Sequence, residues 1–559
     1  EGIYGIDALR YASQITAINL ALMAPSTISR ENVYTIYLGY IPEKNQAWLG
    51  SLELLNNGTR VGGLLAWIEG GLKGLADRVS LEGTEGAFQI PSRFDIVIMN
   101  PPFTRATGRT ESFEEESAGG RGLFGFIAGE SARKKLLEAY NNVREYVRSD
   151  LVGIARSLAP FLPSSIKDIV QGEGGLRQYL SIGQAGEGLL FLYLAYRYVG
   201  NGGVIAFVLP RGVLAGISWF LARTLLASKF HVKYVIVSSD SRKGYNFSEG
   251  TSLSETLIVA KRVEKRSDDE ETVFVNLLSK PSTALEAMML AEEIKKSMMQ
   301  RNRDIVEVGD SRALIFKVGR RQLLNNLDNW NRFVATSDPE LLDVVMKLFN
   351  GVVEVGGHRI EIPITRLNDI ILSIGIDAHE FHDNFSSVST ATPYPIVYGG
   401  EEKVRKRMLI NPNAYARPKT DRARDIFRDY CGKVLVPDRI RWNTAHIIAL
   451  YSTEPVLSNI FYAVRLKVPD EFKELAEKSL VLWFNTTWGL LTVLINRQET
   501  WGAWSGLKMS QWRLQPVLDV ANLDHERLKR LAEVFDNYAG KSPRRIPDQF
   551  DPKNPDEVR

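Results

Sequence analysis

The chain has 559 residues, which is too long for one ordinary hydrophobic core and predicts about two to four domains. Hydrophobic residues make up 44% and charged residues 24% of the sequence, values typical of a soluble globular protein, and no apolar run has the length of a membrane span or the form of a signal peptide. A net charge of +3 confines any nucleic-acid surface to a local patch, and the single cysteine, Cys431, excludes an internal disulfide framework and a cysteine-built zinc site.

The first predicted element is a short strand at Ile3–Asp7, followed by a helix over Ala12–Met23 whose apolar residues recur at helical spacing. Val33–Ile41 and Ala47–Leu55 are predicted to carry the next strand. Because the chain opens on Glu1 without a methionine and begins inside a predicted strand, we expect it to be a fragment.

The most informative segment is the apolar run Phe94–Met99, whose β-branched residues predict a buried central strand. It ends at Asn100, Pro101, Pro102 and Phe103. Neither proline has an N–H, and each biases the residue before it toward extended geometry, so the Pro101 carbonyl stays available to a ligand. An amide oxygen, a carbonyl and an aromatic ring are thus predicted at one strand end, where open α/β sheets bind ligands. The alternative is a strand that ends in an ordinary Asn-Pro turn.

These four residues resemble the Asn-Pro-Pro-aromatic motif of amino-group methyltransferases that use S-adenosylmethionine, above all the N6-adenine DNA methyltransferases of restriction-modification systems. The resemblance implies a Rossmann-like α/β sheet with Asn100, Pro101, Pro102 and Phe103 as catalytic residues. The Asn100 side-chain oxygen and the Pro101 carbonyl would accept the two N–H groups of the target amine, a poor nucleophile because its lone pair is delocalised into the ring. The base must be flipped out of the duplex, and Phe103 would stack on its face.

The same resemblance extends to the first strand and helix. Five residues there match the family pattern in order: Gly5, Asp7, Ala12, Asn19 and Leu20. It implies that S-adenosylmethionine is the cofactor, bound by Gly5, Asp7, Ser51 and Asn100, with the Asp7 carboxylate on the ribose hydroxyls. Ser51 stands where family members often carry an acid, and the alternative for Asp7 is a helix N-cap. The family's glycine-rich loop should lie just upstream of Gly2 and is absent from the sequence.

The later apolar segments complete the predicted catalytic sheet. The helix Gly188–Tyr198 and the strand Val204–Pro210 resemble the fifth-strand unit of the family, and Val232–Ser238 and Glu255–Lys261 are predicted as its last two strands. One sheet would then run from the family's second strand to its seventh. This predicts a methyltransferase domain over residues 1–262 and, after the charged run Lys265–Glu271, a connecting region over residues 263–351.

From about Val352 onward, many short apolar segments and turn residues predict a second unit of α+β type, a target-recognition domain over residues 352–559. Its basic residues between Gly399 and His446 are interleaved with aromatic rings, which suits phosphate contacts and base stacking. The predicted contacts in this stretch are Arg405, Lys406, Arg407 and Arg417. The alternative is a solvated surface that is balanced by its acids.

Leu482–Leu491 and Arg497–Lys508 resemble the recognition half of restriction-modification methyltransferases. Within them Arg497, Gln498 and Lys508 are candidates for base edges or phosphates, because Arg, Lys and Gln supply the donors that major-groove readout uses.

The resemblance therefore implies an adenine-specific DNA methyltransferase of a restriction-modification or phage-defence system, in a prokaryotic cytoplasm. Its implied partners are double-stranded DNA and a specificity or nuclease subunit, and neither a membrane nor a metal ion is expected. Two alternatives stay open: an enzyme that methylates a protein glutamine or an RNA base amine, and a DNA-binding remnant that has lost catalysis.

Overall fold

The computed structural model describes residues 2–23, 32–55, 76–79, 90–102, 129–171, 187–248, 253–399, 404–499, 504–554 and 556. Within these ranges the protein is a mixed α/β structure whose largest sheets have seven and eight strands. The predicted stacking residue Phe103 lies outside the described residues.

The strands of the first half are β1 Tyr4–Asp7, β2 Asn32–Ile36, β3 Leu38–Ile41, β4 Gln46–Leu49, β5 Ala76–Val79, β6 Phe94–Met99, β7 Val199–Pro210, β8 Phe230–Ser238, β9 Glu255–Arg262, β10 Glu271–Ser279, β11 Arg303–Val308 and β12 Ser311–Gly319. The helices are α1 Arg10–Met23, α2 Glu130–Leu158, α3 Ser164–Gln171, α4 Gly188–Tyr198, α5 Phe220–Lys229, α6 Ala284–Gln300 and α7 Arg320–Asn325. Buried residues of α2 recur three or four positions apart, for example Leu136, Tyr140, Val143 and Val147, so one face of this long helix packs on the core.

The seven-stranded sheet has the order β11-β12-β10-β8-β9-β7-β6. β6 runs parallel to β7, with Met99 opposite Phe207, and β9 is antiparallel to both β7 and β8. The prediction that Phe94–Met99 is a buried central strand is therefore wrong within the described residues, because β6 is the end strand and Ile96 and Ile98 are 62% and 77% exposed. An apolar β-branched run predicts a strand but not how many of its sides are covered.

β1 belongs to a separate three-stranded sheet, β1-β2-β5, so the predicted continuous sheet that joins Asp7 to Asn100 is also wrong. β1 pairs in parallel with β2, and β5 is antiparallel to β2. The two sheets nevertheless pack together. The rings of Tyr4 and Phe94, at the first residues of β1 and β6, have their centroids 5.6 Å apart, and Ile36 shares a core with Val97. Because the first residues of β1 and β6 are in contact, both strands run from the same contact between the two sheets toward their carboxyl ends.

The first large sheet does not end at Arg262. β10 pairs in parallel with β8, and β12 and β11 continue the sheet beyond it, so residues predicted to connect two domains add three strands to it. The charged run that looked like a linker is a tight connection in which Arg266 and Glu270 form an ion pair at 2.5 Å. The Glu270 carbonyl also accepts a hydrogen bond from the Arg320 N–H at 2.9 Å.

The strands of the second half are β13 Val352–Val355, β14 His358–Glu361, β15 Ile364–Arg366, β16 Ile371–Ile374, β17 Phe385–Val388, β18 Pro395–Val397, β19 Leu409–Ile410, β20 Ala414–Pro418, β21 Gly432–Pro437, β22 Arg439–Arg441, β23 Leu450–Ser458, β24 Phe461–Leu466, β25 Gln498–Glu499, β26 Trp504–Gly506 and β27 Pro516–Leu518. The helices are α8 Pro339–Phe349, α9 Leu367–Ile370, α10 Ala378–Asn384, α11 Ala423–Tyr430, α12 Asp470–Asn485, α13 Thr487–Asn496, α14 Met509–Arg513, α15 His525–Tyr538 and α16 Ile546–Gln549.

The second half has its own sheets and its own core. The eight-stranded sheet has the order β16-β24-β21-β23-β18-β20-β17, with β19 paired to β23, and a small sheet has the order β22-β26-β25. One apolar core of the first half extends from Ile36 to Val334, and a second core extends from Leu348 to Ile546. A division of the chain near residue 350 follows these cores, whereas the boundary at Arg262 divides a continuous sheet.

The sharp corner between α12 and α13 depends on Thr486 and Gly489. The Thr486 hydroxyl accepts a hydrogen bond from the Gly489 N–H at 3.2 Å, and a Cβ on Gly489 would lie 1.9 Å from the Trp483 carbonyl oxygen. No single helix in the described ranges has the length and apolar composition of a membrane span; α12 and α13 reach them only together, across a bend of 69°.

Candidate active site and nucleic-acid interface

Asn100 follows β6 directly and is exposed, while Pro101 is buried. The Asn100 Nδ2 donates a hydrogen bond to the Ser248 Oγ at 3.2 Å. This bond orients the amide, because Nδ2 faces Ser248 and the acceptor Oδ1 is turned away from it. The end of β6 can therefore present an amide oxygen to a ligand that brings N–H donors.

Ser248 is held in place by the carboxylate of Glu255, the first residue of β9. Glu255 is fully buried, and its Oε2 accepts hydrogen bonds from the N–H groups of Phe247 and Ser248 at 2.6 and 2.7 Å. The Asn246 Nδ2 donates to the Ser248 carbonyl at 2.6 Å. Charge-assisted bonds of this kind are stronger than neutral ones, so the backbone of Ser248, whose hydroxyl contacts Asn100, is held in place.

A second carboxylate anchors the other end of this loop, after β8. Asp240 Oδ1 accepts from the N–H groups of Arg242 and Lys243, and its Oδ2 accepts from the Lys280 N–H at 2.8 Å. Burial tends to raise the pKa of Asp240, but these backbone bonds and the nearby Lys243 charge bring it below its ordinary value. The Lys280 Nζ donates to the Asn246 carbonyl at 2.7 Å, which ties the loop to the end of β10.

This loop also brings positive charge to the sheet edge that carries Asn100. Arg242 and Lys243 are exposed, and Lys280 lies 6.0 Å from the centre of the Phe247 ring. Ser248, Glu255 and Lys280 were not predicted as site residues, because nothing in their spacing relates them to a residue about 150 positions earlier. The only sequence signal was a serine-rich segment between the predicted strands Val232–Ser238 and Glu255–Lys261.

Two of the predicted cofactor residues, Asp7 and Ser51, lie at the end of the small sheet. Asp7 ends β1, and its Oδ1 accepts a hydrogen bond from the Leu9 N–H at 2.7 Å, which closes a turn ahead of α1 and is not an N-cap bond, since α1 begins at Arg10. Ser51 lies in the 3-10 turn Gly50–Leu55. A Cβ on Gly50 would lie 3.3 Å from the Ala8 Cβ, so the segments that carry Asp7 and Ser51 are in contact.

Gly5 lies within β1, opposite Val33 of β2, and a Cβ there would meet the Val33 methyl groups at 3.5 Å. The neighbouring carboxylate of Glu53 is buried and accepts from the Leu49 N–H at 2.8 Å, so it stabilises the turn that carries Ser51. Within the described ranges, no group of three or more His, Cys, Asp or Glu side chains is arranged to hold a metal ion.

Arg405 is not a surface phosphate contact, which corrects its prediction as one. Its side chain is only 2% exposed, its Nη2 donates to the Arg439 carbonyl at 2.7 Å, and its guanidinium lies 5.0 Å from the centre of the Phe461 ring. A stretch rich in Lys and Arg does not show which of its cations point inward, because a long side chain can bury its charge against carbonyls and rings.

The other predicted cations are accessible to different degrees. Lys406, Arg407, Arg417 and Lys508 are exposed. Arg407 contacts the Ser542 hydroxyl at 3.3 Å, and Lys508 precedes α14. Arg497 is half-buried at the end of α13, where its Nη1 donates to the Leu494 carbonyl.

Gln498 begins β25, which lies against the 3-10 turn Arg211–Leu214. That turn follows β7, the strand that pairs with β6. Gln498, a predicted DNA contact, thus begins a strand that approaches the same end of the first large sheet as the Asn100 motif, although about 400 residues separate them in sequence.

No protein-family model matches this sequence, and a search of curated proteins finds no match. Among solved structures, the type IIG restriction endonuclease BpuSI is similar with a TM-score of 0.26 and 14% identity, over 69% of this chain and 47% of that chain. A type I restriction-modification system methyltransferase subunit from Streptococcus thermophilus is similar with a TM-score of 0.21 and 16% identity, over 41% of this chain and 36% of that chain. The chain is thus distantly similar in structure to these two proteins and spans less than half the length of each.

Proposed function

We propose that this protein transfers a methyl group from S-adenosylmethionine to the N6 amine of a flipped adenine in a specific DNA sequence, within a restriction-modification or phage-defence system. The observation that carries the proposal is the oriented amide of Asn100, followed by Pro101, at the carboxyl end of β6. We assign the methyl transfer to residues 1–262, with the strands of residues 263–351 completing the sheet, and DNA recognition to residues 352–559.

The chemistry of the motif follows from the acceptors it offers. The Asn100 Oδ1 and the Pro101 carbonyl accept the two N–H groups of the adenine amine, and this geometry shifts the nitrogen from planar toward tetrahedral. Its lone pair then becomes available for attack without a strong base. The new N–C bond forms as the S–C bond of the methyl donor breaks, and the proton released from nitrogen passes to solvent. Phe103 is proposed to stack on the flipped base.

The residues at the end of the small sheet suit the ribose of the cofactor. The Asp7 carboxylate uses Oδ1 for the Leu9 N–H, and a carboxylate has further acceptor capacity on its second oxygen for hydroxyl donors. Gly5, Ser51 and Asn100 are proposed as the other cofactor contacts. S-adenosylmethionine supplies an electrophilic methyl group when bound.

DNA is the proposed substrate because the loop that contacts Asn100 carries the exposed cations Arg242 and Lys243, and the second half carries further exposed cations. Lys406, Arg407, Arg417 and Lys508 are proposed to contact phosphates, and Arg497 and Gln498 to contact base edges. We place the protein in the prokaryotic cytoplasm, with double-stranded DNA and a specificity or nuclease subunit as partners.

The test offers the purified protein S-adenosylmethionine with a labelled methyl group, together with genomic DNA, total RNA or a protein extract. We expect label on DNA alone, and digestion of that DNA to nucleosides should yield N6-methyladenine. Sequencing that detects modified adenines would then define the target site. Label on protein glutamine or on RNA, with none on DNA, would overturn the proposal in favour of an enzyme that uses the same motif on another amine.

A further inference from the structure

A buried polar network joins the two halves of the molecule, and Asn496 lies at its centre. Asn496 is the last residue of α13 and is 5% exposed. Its Oδ1 accepts a hydrogen bond from the Arg332 Nε at 2.7 Å and another from the Asn329 Nδ2 at 3.2 Å. One side-chain oxygen of the second half thus receives two donors from the segment that follows the first sheet.

Arg332 is held rigidly on the other side of this contact. Its Nη2 forms an ion pair with Asp328 at 2.7 Å, and its Nη1 donates to the Asn326 Oδ1 at 2.9 Å. Burial by itself would raise the pKa of Asp328, but the Arg332 charge keeps it below its ordinary value, so the pair stays ionised. Each nitrogen of the Arg332 side chain therefore donates to an identified acceptor, which fixes the orientation of the guanidinium.

The network continues from this segment to the end of β7. Arg211, the residue after β7, donates from its Nε to the Asn331 Oδ1 at 2.9 Å and from its Nη2 to the Val334 carbonyl at 3.2 Å. Arg223 of α5 donates from its Nη2 to the Asp328 carbonyl at 3.0 Å. The turn that carries Arg332 is consequently fixed to the strand beside β6, which carries Asn100.

In the second half the network leads toward β25, which begins at the predicted DNA contact Gln498. The Asn496 Nδ2 donates to the Gln515 Oε1 at 3.2 Å, and the Gln515 Nε2 donates to the Thr492 Oγ1 at 2.8 Å. Gln515 is 1% exposed. The two residues after Asn496 are Arg497 and Gln498, and the strand that begins at Gln498 lies against the turn after β7.

We propose that Asn496 and Arg332 are positioning residues that convert binding of the correct DNA sequence at β25 into methyl transfer at Asn100. The inference rests on the proposed function, and it adds a physical link between recognition and turnover. A chain of buried polar groups joined by directional hydrogen bonds has few alternative arrangements, so a displacement of β25 by DNA is transmitted to the turn after β7 rather than absorbed. Neither residue needs to touch DNA or cofactor.

The test compares Asn496→Leu with Asn496→Asp in the whole protein, on a duplex that carries the mapped target site and on one with a single altered base pair. In Asn496→Leu, we expect kcat on the target to fall by about 5- to 150-fold, the usual range of coupling between sites, while the Kd for the duplex stays within about twofold. Discrimination between the two duplexes should fall with kcat. Asn496→Asp should restore much of both, because it keeps the acceptor for Arg332; the Gln515 amide can turn to donate to it when the Thr492 hydroxyl turns from the Gly489 carbonyl to donate to Gln515.

Asn485→Ala is the matched control. Asn485 also makes several hydrogen bonds, but they go to Ile448, Ala449 and Val481 of its own half. Asn485→Ala should lower the unfolding temperature but should change neither kcat on the target duplex nor the Kd for that duplex. Hydrogen exchange gives a readout independent of activity, because exchange at residues 504–506 and 211–214 should accelerate together in Asn496→Leu but not in Asn485→Ala.

Gln515→Met replaces Asn496→Leu if the latter does not fold, since it removes only the bonds to Asn496 and Thr492 within the second half, and the same direction of change is expected. If Asn496→Leu or Gln515→Met keeps wild-type kcat, discrimination and exchange, the coupling is overturned while the proposed function stands. If the unaltered protein methylates no DNA, the proposed function fails and the coupling falls with it.

Discussion

Two contacts orient the amide of Asn100. The Ser248 Oγ accepts a hydrogen bond from the Asn100 Nδ2, and the Glu255 carboxylate accepts one from the Ser248 N–H. Glu255 is fully buried, so its bonds to the loop are shielded from competing water. The proposed reaction needs the Asn100 oxygen, not its nitrogen, to face the target amine. A group that holds the nitrogen therefore contributes to turnover without contact with the substrate.

Ser248→Ala removes this hydrogen bond. One such bond contributes about 0.5–1.5 kcal/mol, so we expect kcat to fall by roughly three- to tenfold while DNA affinity is unchanged. Ser248→Thr keeps the hydroxyl and should retain most of the activity. Single-turnover rates at saturating DNA measure the effect, and equal losses in the two variants would contradict a role for the hydroxyl.

Because Arg405 is buried whereas Lys406 and Arg407 are exposed, we predict different effects when they are replaced. Changing Lys406 and Arg407 together to Ala should weaken binding to all duplexes alike and reduce the slope of log K against log salt by about 0.9 per lost phosphate contact. Arg405→Met should instead lower the unfolding temperature and leave the slope unchanged, since its guanidinium is occupied by a carbonyl and a ring. Anisotropy titrations at several salt concentrations measure the slope. A steeper loss in Arg405→Met than in the double variant would reverse the assignment.

At the scale of elements, local pattern was sufficient where the chain alternates strand and helix. The strands predicted at Val232–Ser238 and Glu255–Lys261 correspond to β8 and β9, and the predicted helix Gly188–Tyr198 has the bounds of α4. What the pattern could not show is which strands are neighbours. β6 is an end strand and β1 belongs to another sheet. Neither could be read from the local pattern, because strand pairing depends on partners that are distant in sequence.

The buried carboxyl of Glu477 on α12 makes stability depend on pH. It is 4% exposed, and burial raises its pKa from 4.5 to about 7, with Glu474 adding to the rise and Lys473 and Lys433 opposing it. Between pH 4.5 and about 7, the Glu477 carboxyl is protonated in the folded protein but ionised in the unfolded chain. The stability of the protein should therefore be highest near or below pH 4.5 with respect to this group, and should decline as pH rises toward 7, by up to about 3 kcal/mol.

Glu477→Gln removes this proton uptake. We expect the variant to be more stable than the parent at pH 8, and denaturant unfolding between pH 5 and 8 should show a shallower decline. Glu187 is the internal reference, because burial also raises its pKa to about 7 and it remains in both proteins. An unchanged slope in Glu477→Gln would show that Glu477 does not carry the raised pKa.

At the scale of the whole molecule, the junction between the two halves is both apolar and polar: Ile495 packs with Ala335 and Val345, next to the contact between Arg332 and Asn496. Leu514 of the second half packs against the first core, but Arg332 and Asn496 make the directional contacts. The sequence could indicate a motif at Asn100 and a basic stretch within the second half, between Gly399 and His446. It could not indicate Ser248, Arg332 or Asn496 as partners, because each contact joins residues that lie about 150 or more positions apart.

The most direct test of the proposed function measures methyl transfer and DNA binding on the same samples of the unaltered protein and Asn100→Ala. Labelled S-adenosylmethionine and DNA that carries the mapped site give the rate, and fluorescence anisotropy gives the Kd. We predict that the unaltered protein forms N6-methyladenine and that Asn100→Ala loses more than nine-tenths of the rate, roughly the 1.4 kcal/mol that a tenfold change represents, with an unchanged Kd. Retention of more than a tenth of the rate by Asn100→Ala, or the absence of N6-methyladenine with the unaltered protein, would contradict the account.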